Sequence, residues 1–490
     1  MSLTDLALPD AAPRATLDRT LTNPTSLALA RERIGLITEA ARRAASYVAG
    51  ARHRPIAPDP EAVAALDAFR RPLQDGPRDA RDVLVELDTL GSPATVAQAQ
   101  GRFFGFVNGG VDNAAGAAAL LAGQWDQNPA LPVMSPVAST LDEVAAGWVL
   151  DLLRLPPTAT ATFTPGATLA NLTGILAGRD ALLARAGWSV HADGLFGAPA
   201  LRVITGEEVH VSALKALRLA GLGVDRIERV PTDATGAIDA ARFPTDTDHL
   251  TLVVLQAGNV NTGASDPFEA IIPGVRERGG WVHIDGAFGL WAAASPSLRH
   301  QVAGAALADS WGTDAHKWLN VAYDSGIAIV RERADLERAT AMSAAYVASG
   351  DARPLMSLGL QMSQRARGIE TWAMLASNGR SGVADLIDRT CAHARLFASL
   401  LSDAGVEVLA PVALNQVMAA FGSAPGGRGD DAVTAAVIEA AQREGTMWAG
   451  GTVWKDRPAM RISVSDQATT ADDVRASVAA LLECWEAVRA

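Results

Sequence analysis

Short apolar segments alternate with helical segments over residues 160–345, and this alternation constrains the fold more than any other feature of the chain. Strands and helices in alternation predict crossover units on a mostly parallel sheet. In such sheets, ligands bind outside the carboxyl ends of the strands, so functional residues are expected just after strands. The predicted strands are residues 201–205, 226–230, 250–255, 281–285, 310–313 and 326–330.

Size and composition predict more than one domain. The chain has 490 residues, of which 49% are hydrophobic and 20% charged, enough to bury a large core. Residues 1–85 are predicted to form a helical arm, with a helix over residues 23–50 that ends before a proline-containing stretch. Residues 86–385 are predicted to form the large domain and residues 386–490 a smaller α+β domain.

Two further helices are predicted from periodicity and caps. One covers residues 139–153, with Ser139 or Thr140 as its N-cap, and the other covers residues 363–380.

Charge and apolar pattern exclude several classes of partner. The net charge of −12 argues against a nucleic-acid partner, which requires a basic surface. No apolar run approaches the roughly 20 residues that span a membrane, and the start of the chain does not have the order of a signal peptide. Two cysteines cannot form a disulfide framework, and no metal site is expected. We therefore expect a soluble protein of the cytoplasm.

A lysine and an aspartate follow two of the predicted strands. Lys317 lies in DAHKWL (residues 314–319), and Asp285 closes the strand in WVHIDGAFG (residues 281–289). Burial disfavours the charged form of an amine, and a neutral amine can attack a carbonyl. A carboxylate can hold a pyridinium nitrogen protonated, which makes pyridoxal phosphate (PLP) an electron sink. Each motif alone is typical of a surface lysine or a helix cap, but together they predict PLP as the cofactor.

Two other segments fit the rest of such a cofactor. Small residues in TPGATLAN (residues 164–171) join a strand to a helix, so that Ala167 and Thr168 can meet a phosphate at the helix N-terminus. His210 could stack on a flat ring, although an isolated histidine is more often an ordinary polar residue. The aromatic segment GRFFGFVNGG (residues 101–110) is either a plug in the core or a wall of the active site.

Taken together, these segments resemble the group II PLP-dependent amino acid decarboxylases, which include aromatic-L-amino-acid, glutamate and 2,4-diaminobutyrate decarboxylases. The resemblance covers residues 101–474, and its most specific motif is DAHKWL. It implies the fold-type I PLP-dependent transferase-like architecture. That is an α/β fold with a mostly parallel seven-stranded sheet in the large domain, a smaller C-terminal α+β domain and an N-terminal helical segment.

The resemblance also implies roles for individual residues. Lys317 matches the Schiff-base lysine, and Asp285 the partner of the ring nitrogen. His210 and Ala287 match the residues on the two ring faces, and His316 matches the histidine near the substrate carboxylate.

Tyr346 matches the mobile-loop tyrosine that protonates the substrate carbon after carbon dioxide leaves, a position where relatives with phenylalanine are aldehyde synthases. The other residues predicted to bind the cofactor are Ala167, Thr168, Asn259, Ser310 and Ser363.

The chain departs from the family pattern at three places, one of which is the pocket wall Phe106-Val-Asn-Gly109, so the substrate of the aromatic-specific members does not carry over. Val260 stands where a threonine usually supports the cofactor, and Asn259 or Asn261 is expected to replace its hydrogen bond. The usual Ser-Arg-Arg is Ser363-Gln-Arg365, so the contact of the first arginine is missing.

The predicted function is decarboxylation of an L-amino acid to its amine and carbon dioxide. The substrate carboxylate is expected near His316, and Arg461 is either a carboxylate clamp or part of a structural ion pair. Alternatives on the same fold are an oxidative aldehyde synthase, another carbon–carbon lyase, a transaminase and a non-catalytic binding protein. Tyr346 argues against the aldehyde synthase.

The substrate and the assembly are predicted more coarsely. An aromatic or other large amino acid is favoured, because the predicted substrate pocket is lined by Phe104, Phe106, Val107 and Asn108. The resemblance implies a homodimer in which the segment at Phe106 and the loop at Tyr346 reach the partner's cofactor.

Overall fold

The computed structural model describes residues 24–342, 353–422 and 431–490. The chain divides into two compact units, residues 1–97 and residues 98–490. The sequence predicted three domains with boundaries at residues 85 and 385. The two compact units do not test that division, which stays a prediction.

The first unit is helical. Asp59 and Asp79 each precede a short helix and accept a hydrogen bond from a first-turn N–H at 2.8 Å, which stabilises the helix start. The prediction of a long helix near residues 23–50 is confirmed. The α-helices are α1 (Pro24–Ala51), α2 (Pro60–Ala65) and α3 (Ala80–Glu86), and shorter helical turns cover Leu66–Phe69, Leu87–Gly91 and Ser92–Ala94.

The second unit contains the predicted seven-stranded sheet, with strand order β1-β7-β6-β5-β4-β2-β3. All neighbouring pairs are parallel except those of β7, which runs antiparallel to both β1 and β6. The six predicted strands are confirmed to within two residues at each end. The strands are β1 (Thr160–Thr164), β2 (Arg202–Gly206), β3 (Glu228–Val230), β4 (Thr251–Gln256), β5 (Trp281–Asp285), β6 (Ser310–Asp314) and β7 (Gly326–Val330).

Both faces of this sheet are buried, which explains the continuous apolar runs of its strands. Side chains alternate along β4: Leu252 and Val254 join the core on one face, and Val253 and Leu255 join the core on the other. Helices cover both faces. They are α4 (Asn113–Trp125), α5 (Pro136–Leu152), α6 (Ala167–Arg185), α7 (Val190–Asp193), α8 (Val211–Leu219), α9 (Phe268–Glu277), α10 (Arg333–Thr340) and α11 (Gly368–Asp403).

Two predicted helix starts are wrong. The N-cap of α5 is Ser135, whose hydroxyl accepts from the Ala138 N–H at 3.2 Å, and not Ser139 or Thr140. Pro136 suits the first helical position, because its missing N–H would have no partner there. Helix α11 begins at Gly368, five residues later than predicted, and continues to Asp403 past a non-helical residue at Gly379.

A four-stranded antiparallel sheet with order β10-β11-β9-β8 lies in the last part of the chain. Its core includes Phe104, which comes from the aromatic segment and meets Phe397 edge to face at 4.9 Å. The elements are β8 (Glu407–Val408), β9 (Gln416–Ala420), α12 (Asp431–Glu444), β10 (Gly450–Trp454), β11 (Arg457–Ser463) and α13 (Ala471–Arg489).

Close backbone packing fixes the turn between β1 and α6. A Cβ atom on Gly326 of β7 would lie 2.5 Å from the Cα of Gly166, so only glycine allows β7 to pass this turn. The turn that was predicted to hold a phosphate is therefore held against the sheet. In the part of the chain that the structure describes, no helix is long and apolar enough to cross a membrane.

Candidate active site

A cavity of about 250 Å³ lies at the carboxyl ends of β4, β5 and β6. It brings together side chains from segments far apart in the sequence. The predicted site residues that line it are Phe106, Val107, His210, Asp285, Ala287 and Lys317. The lining also includes Val260 and Arg461, which the sequence analysis discussed, and Gln256, Gly258 and Phe288, which it did not single out.

Asp285 ends β5 and carries a buried carboxylate. Its Oδ1 accepts a hydrogen bond from the Ala287 N–H at 3.2 Å, whereas Oδ2 has no partner among the described residues. Burial raises the pKa of this carboxyl, and the neighbouring His210 and Lys317 oppose the rise. A buried acceptor without a donor is costly, so it suits a ligand that brings its own N–H. The protonated ring nitrogen of PLP is such a donor, and the site therefore fits this cofactor.

His210 is the N-cap of α8 and is fixed by its own helix. Its Nδ1 accepts from the backbone N–H of Ser212 at 3.2 Å and lies 2.7 Å from the Ser212 hydroxyl. Burial lowers the pKa of His210, which keeps the ring neutral with its proton on Nε2. A neutral, immobile ring at the cavity wall suits stacking on a flat cofactor.

Lys317 follows β6 in a turn that is anchored by apolar side chains. Trp318 is fully buried and donates to the Thr390 hydroxyl at 2.8 Å. The Lys317 Nζ lies 3.2 Å from Oδ2 of Asp314, the last residue of β6. A Cβ atom on Gly109 would lie 1.9 Å from the Lys317 carbonyl oxygen, so the aromatic segment packs directly on this turn.

His316 lies beside the same carboxylate but does not line the cavity. Its Nδ1 accepts from the Ser325 N–H at 3.1 Å, and its Nε2 is 3.6 Å from Oδ2 of Asp314. Burial lowers the pKa of His316. The ring of Tyr323 packs on this imidazole with centroids 4.4 Å apart.

Tyr323 was missed by the sequence analysis. Its hydroxyl donates to Oδ1 of Asn108 at 2.8 Å, and burial raises its pKa to about 12. Its position six residues after Lys317, just beyond the DAHKWL motif, was the available signal. The predicted pocket residue Asn108 is thus bonded to the ring that covers His316.

The predicted phosphate cradle lies at the start of α6. Ala167 is the first residue of the helix and is buried, and Thr168 follows it. N–H groups in the first turn of a helix have no partner within the helix, so they are available to an anion. A Cβ atom on Gly166 would lie 3.1 Å from Cε1 of His316, which brings this turn to the histidine beside Lys317.

The side chains of three predicted site residues, Phe104, Ser310 and Ser363, lie in other parts of the fold. Phe104 belongs to the core of the small sheet, where its ring packs on Phe397. Ser310 begins β6, at the end of the strand away from the cavity, and its hydroxyl lies 2.8 Å from Nδ1 of His283. Ser363 lines a separate cavity with Asn128. Phe104 and Ser310 do not reach the cavity because their side chains pack in buried positions elsewhere, in the core of the small sheet and at the start of β6.

The remaining predicted residues have distinct positions. Asn259 caps its own turn, since its Oδ1 accepts from the N–H groups of Asn261 and Thr262 at 2.8 and 3.2 Å. Its buried Nδ2 has no hydrogen-bond partner within the described ranges, whereas Asn261 Oδ1 accepts from Thr452. Tyr346 lies outside the described residues. Phe106, which was expected to reach a partner's site, lines the cavity of its own chain.

The geometry defines a PLP-dependent enzyme, and comparison with known proteins gives its family. Residues 64–420 match the family model described as the pyridoxal-dependent decarboxylase conserved domain. The chain belongs to this family of pyridoxal-dependent decarboxylases.

Its relatives include amino acid decarboxylases. Tryptophan decarboxylase 1 of Oryza sativa is 26% identical over 449 residues, which cover 85% of each chain. L-2,4-diaminobutyrate decarboxylase of Acinetobacter baumannii is 26% identical over 309 residues, 58% of this chain and 59% of that one. The crystal structure of Oryza sativa TDC with PLP and tryptamine is similar in fold, with a TM-score of 0.86 and 23% identity over 94% of this chain and 98% of that chain.

These findings confirm four predictions from the sequence: the family, the fold class, the PLP cofactor, and the activity of a carboxy-lyase on an amino acid. The roles of individual residues stay predictions.

The buried His283 makes a testable contribution to stability. Burial lowers its pKa to about 3, far below the value of about 6.5 in an unfolded chain. The unfolded chain therefore binds a proton that the folded chain does not, and stability falls as the pH falls from 6.5 towards 3. Between pH 7 and pH 5 this contribution is about 2 kcal/mol. In urea unfolding at both pH values, His283→Gln should lose that much less stability than the wild type.

The exposed His300→Gln variant is the control, and its stability should fall in parallel with the wild type. The buried carboxyl of Asp266, whose pKa is raised to about 6, acts in the opposite direction in all three proteins and cancels in the comparison. If the free energy of unfolding fell with pH in the same way for His283→Gln and the wild type, the lowered pKa of His283 would be wrong.

Proposed function

We propose that the chain decarboxylates an aromatic or other large L-amino acid, with Lys317 as the covalent cofactor residue. The observation that carries the proposal is one cavity lined by the Lys317 amine, the Asp285 carboxylate with its unpartnered Oδ2, and the neutral His210 ring. Oδ2 of Asp285 has no hydrogen-bond partner in the described part of the chain.

Each of these groups has one task. The bound cofactor supplies an electron sink for the pair of electrons left when the carboxylate departs. With the cofactor bound, Asp285 would keep the proton on the ring nitrogen, and His210 and Ala287 would contact the ring. Asp314, 3.2 Å from the Lys317 Nζ, orients the amine and can exchange a proton with it. The Lys317 amine would be the nucleophile that holds the cofactor aldehyde.

The substrate carboxylate has two candidate partners, His316 and Arg461. Arg461 lines the cavity, and its guanidinium makes one hydrogen bond in the described residues, to the Val260 carbonyl at 3.4 Å. Burial lowers the pKa of Arg461, and no carboxylate within the described ranges lies close enough for an ion pair. This favours a substrate clamp over a structural ion pair. His316, behind the cavity wall, then acts through Asp314 and the lysine turn.

Apolar groups on the cavity wall support a large substrate. Phe106, Val107, Val260 and Phe288 line the cavity together. Phe106 is 62% exposed, so a substrate that covers it gains from its burial. Closure of such a cavity also leaves the carboxylate poorly solvated, which favours its loss as neutral carbon dioxide.

The chain offers a clean test of the covalent residue, because its only lysines are Lys215, Lys317 and Lys455. Lys317→Ala should abolish the release of amine and carbon dioxide and the attachment of PLP by borohydride reduction. Lys215→Ala and Lys455→Ala should retain both, since Lys215 is exposed on α8 and Lys455 binds the Asp233 carbonyl. Products from a panel of amino acids are measured by mass. Aldehyde and peroxide in place of amine would instead support the alternative, an oxidative aldehyde synthase.

Arg461→Gln separates the clamp from a structural role. Loss of a charged hydrogen bond to the substrate should raise KM by about ten- to a hundredfold, with the affinity for PLP unchanged. Arg457→Gln is the matched control, because Arg457 lies on the same strand but pairs with Glu407 at 2.8 Å. An unchanged KM in Arg461→Gln, with a loss of thermal stability, would contradict the clamp.

We further propose a homodimer of the cytoplasm with shared active sites. Exposed apolar side chains on the second unit support a partner surface: Leu120, Leu121, Val133 and Met134 are each about half exposed or more. Tyr346 is the residue expected to act across the dimer and to protonate the substrate carbon.

Mixing two variants that release no amine tests the dimer and Tyr346 together. Lys317→Ala should make no product, and Tyr346→Phe should make aldehyde in place of amine. A heterodimer of the two would contain one intact site if Tyr346 serves the partner. Random exchange should then restore about a quarter of the wild-type amine rate, because half of the dimers are mixed and each has one good site. No restored amine after exchange, or a fully active monomer in sedimentation, would contradict the shared site.

A further inference from the structure

A chain of buried polar side chains lies behind Asp285 and has no part in the chemistry described so far. The Trp281 indole N–H donates to the Ser310 hydroxyl at 3.0 Å. The same hydroxyl is 2.8 Å from Nδ1 of His283, whose Nε2 is 3.1 Å from Oδ1 of Asn171. All four side chains are buried or nearly so, and they join β5, β6 and α6.

The chemistry of these groups gives the chain a single direction. An indole N–H can only donate, so the Ser310 oxygen accepts there; its own proton has two acceptors, Nδ1 of His283 at 2.8 Å and the Gly174 carbonyl at 3.4 Å, and the shorter contact assigns it to the histidine. Burial keeps His283 neutral by lowering its pKa to about 3, so the remaining ring proton is on Nε2. That proton is donated to Oδ1 of Asn171, and the amide group of Asn171 is fixed with Nδ2 turned away from the histidine.

The free end of the chain lies at the cofactor carboxylate. Asn171 Nδ2 and Asp285 Oδ2 are both buried with no hydrogen-bond partner in the described residues. A hydrogen bond from the Asn171 side chain lowers the pKa of the Asp285 carboxyl against the effect of burial, so the two groups are neighbours although their geometry falls short of a full hydrogen bond. A donor without an acceptor therefore lies beside an acceptor that has capacity for more than one donor.

Glycines leave the space that this chain needs. Gly312 pairs with Asp285 in the parallel ladder, and a Cβ atom there would lie 2.3 Å from Oδ1 of Asn171. On α6, a Cβ atom on Gly174 would lie 2.6 Å from the His283 ring. Any larger residue at these positions would displace the amide or the imidazole. Glycines on β6 and on α6 therefore leave room for the network.

We propose that Asn171 is a positioning residue that acts on the cofactor through Asp285. Its side-chain amide, held by His283, Ser310 and Trp281, donates to the Asp285 carboxylate and keeps it ionised and aimed at the ring nitrogen. Groups behind a ligand-binding side chain commonly set its orientation and basicity in this way. The proposal rests on the proposed role of Asp285. Ser310, which the sequence predicted to bind the cofactor, instead lies between Trp281 and His283 in the network behind Asp285.

The test compares two cofactors in the full-length protein. One is PLP, and the other is its analogue with carbon in place of the ring nitrogen. Asn171→Leu should weaken PLP binding by about fivefold, because an ionic hydrogen bond loses its support, and should leave binding of the analogue unchanged. Thr173→Val is the matched control, since Thr173 is buried on the same helix and bonds only to the Leu169 carbonyl at 2.8 Å. It should change neither dissociation constant.

Two further variants keep the proposal falsifiable. Ser310→Ala removes one hydroxyl from the network and should also weaken the binding of PLP more than the binding of the analogue. This variant replaces Asn171→Leu in the test if Asn171→Leu does not fold. Equal weakening of PLP and the analogue by Asn171→Leu would mean that Asn171 only packs, and would overturn the proposal. Asp285→Asn should abolish the preference for PLP. If it does not, the assigned role of Asp285 itself is wrong, whatever the result for Asn171.

Discussion

The site depends on the cost of burying polar groups without partners. Around Lys317 the fold buries two carboxylate oxygens, Asp285 Oδ2 and Asp314 Oδ1, neither of which has a full hydrogen bond in the described residues. Each such atom costs about 1–3 kcal/mol in the folded chain. Their concentration beside one cavity means that a ligand with matching groups regains this free energy. Binding of the cofactor and stability of the fold are therefore coupled through the same atoms.

The sheet topology is what concentrates these atoms at one edge. Parallel β4, β5 and β6 end side by side, so Asp285 and Asp314 emerge at the same edge of the sheet. The antiparallel strand β7 returns from the lysine turn and, through Gly326, packs against the turn before α6. The proposed ring partner, the proposed covalent lysine and the predicted phosphate turn are thus held by neighbouring parts of one sheet.

Much of this arrangement could be predicted from the sequence, because strand ends and motif residues are local properties. Asp285 and Lys317 follow strands whose apolar runs are unmistakable, and His210 and the turn at Ala167 were found in the same way. Ser310 and Phe104 were misassigned for a shared reason: a side chain's neighbours across a sheet or core are not encoded in its own segment. The cap Ser135 was missed because helical periodicity does not distinguish the first turn from the residues just before it.

The scarcity of lysine has a consequence for chemical selectivity. Of the 42 lysines and arginines in the chain, three are lysines. Guanidinium groups carry the same charge as ammonium groups but do not lose their proton at neutral pH, so they are poor nucleophiles towards aldehydes. A reactive aldehyde that enters this protein meets few competing side-chain amines. The chain thus keeps its cationic surface contacts while offering an aldehyde few amines besides Lys317, the proposed cofactor residue.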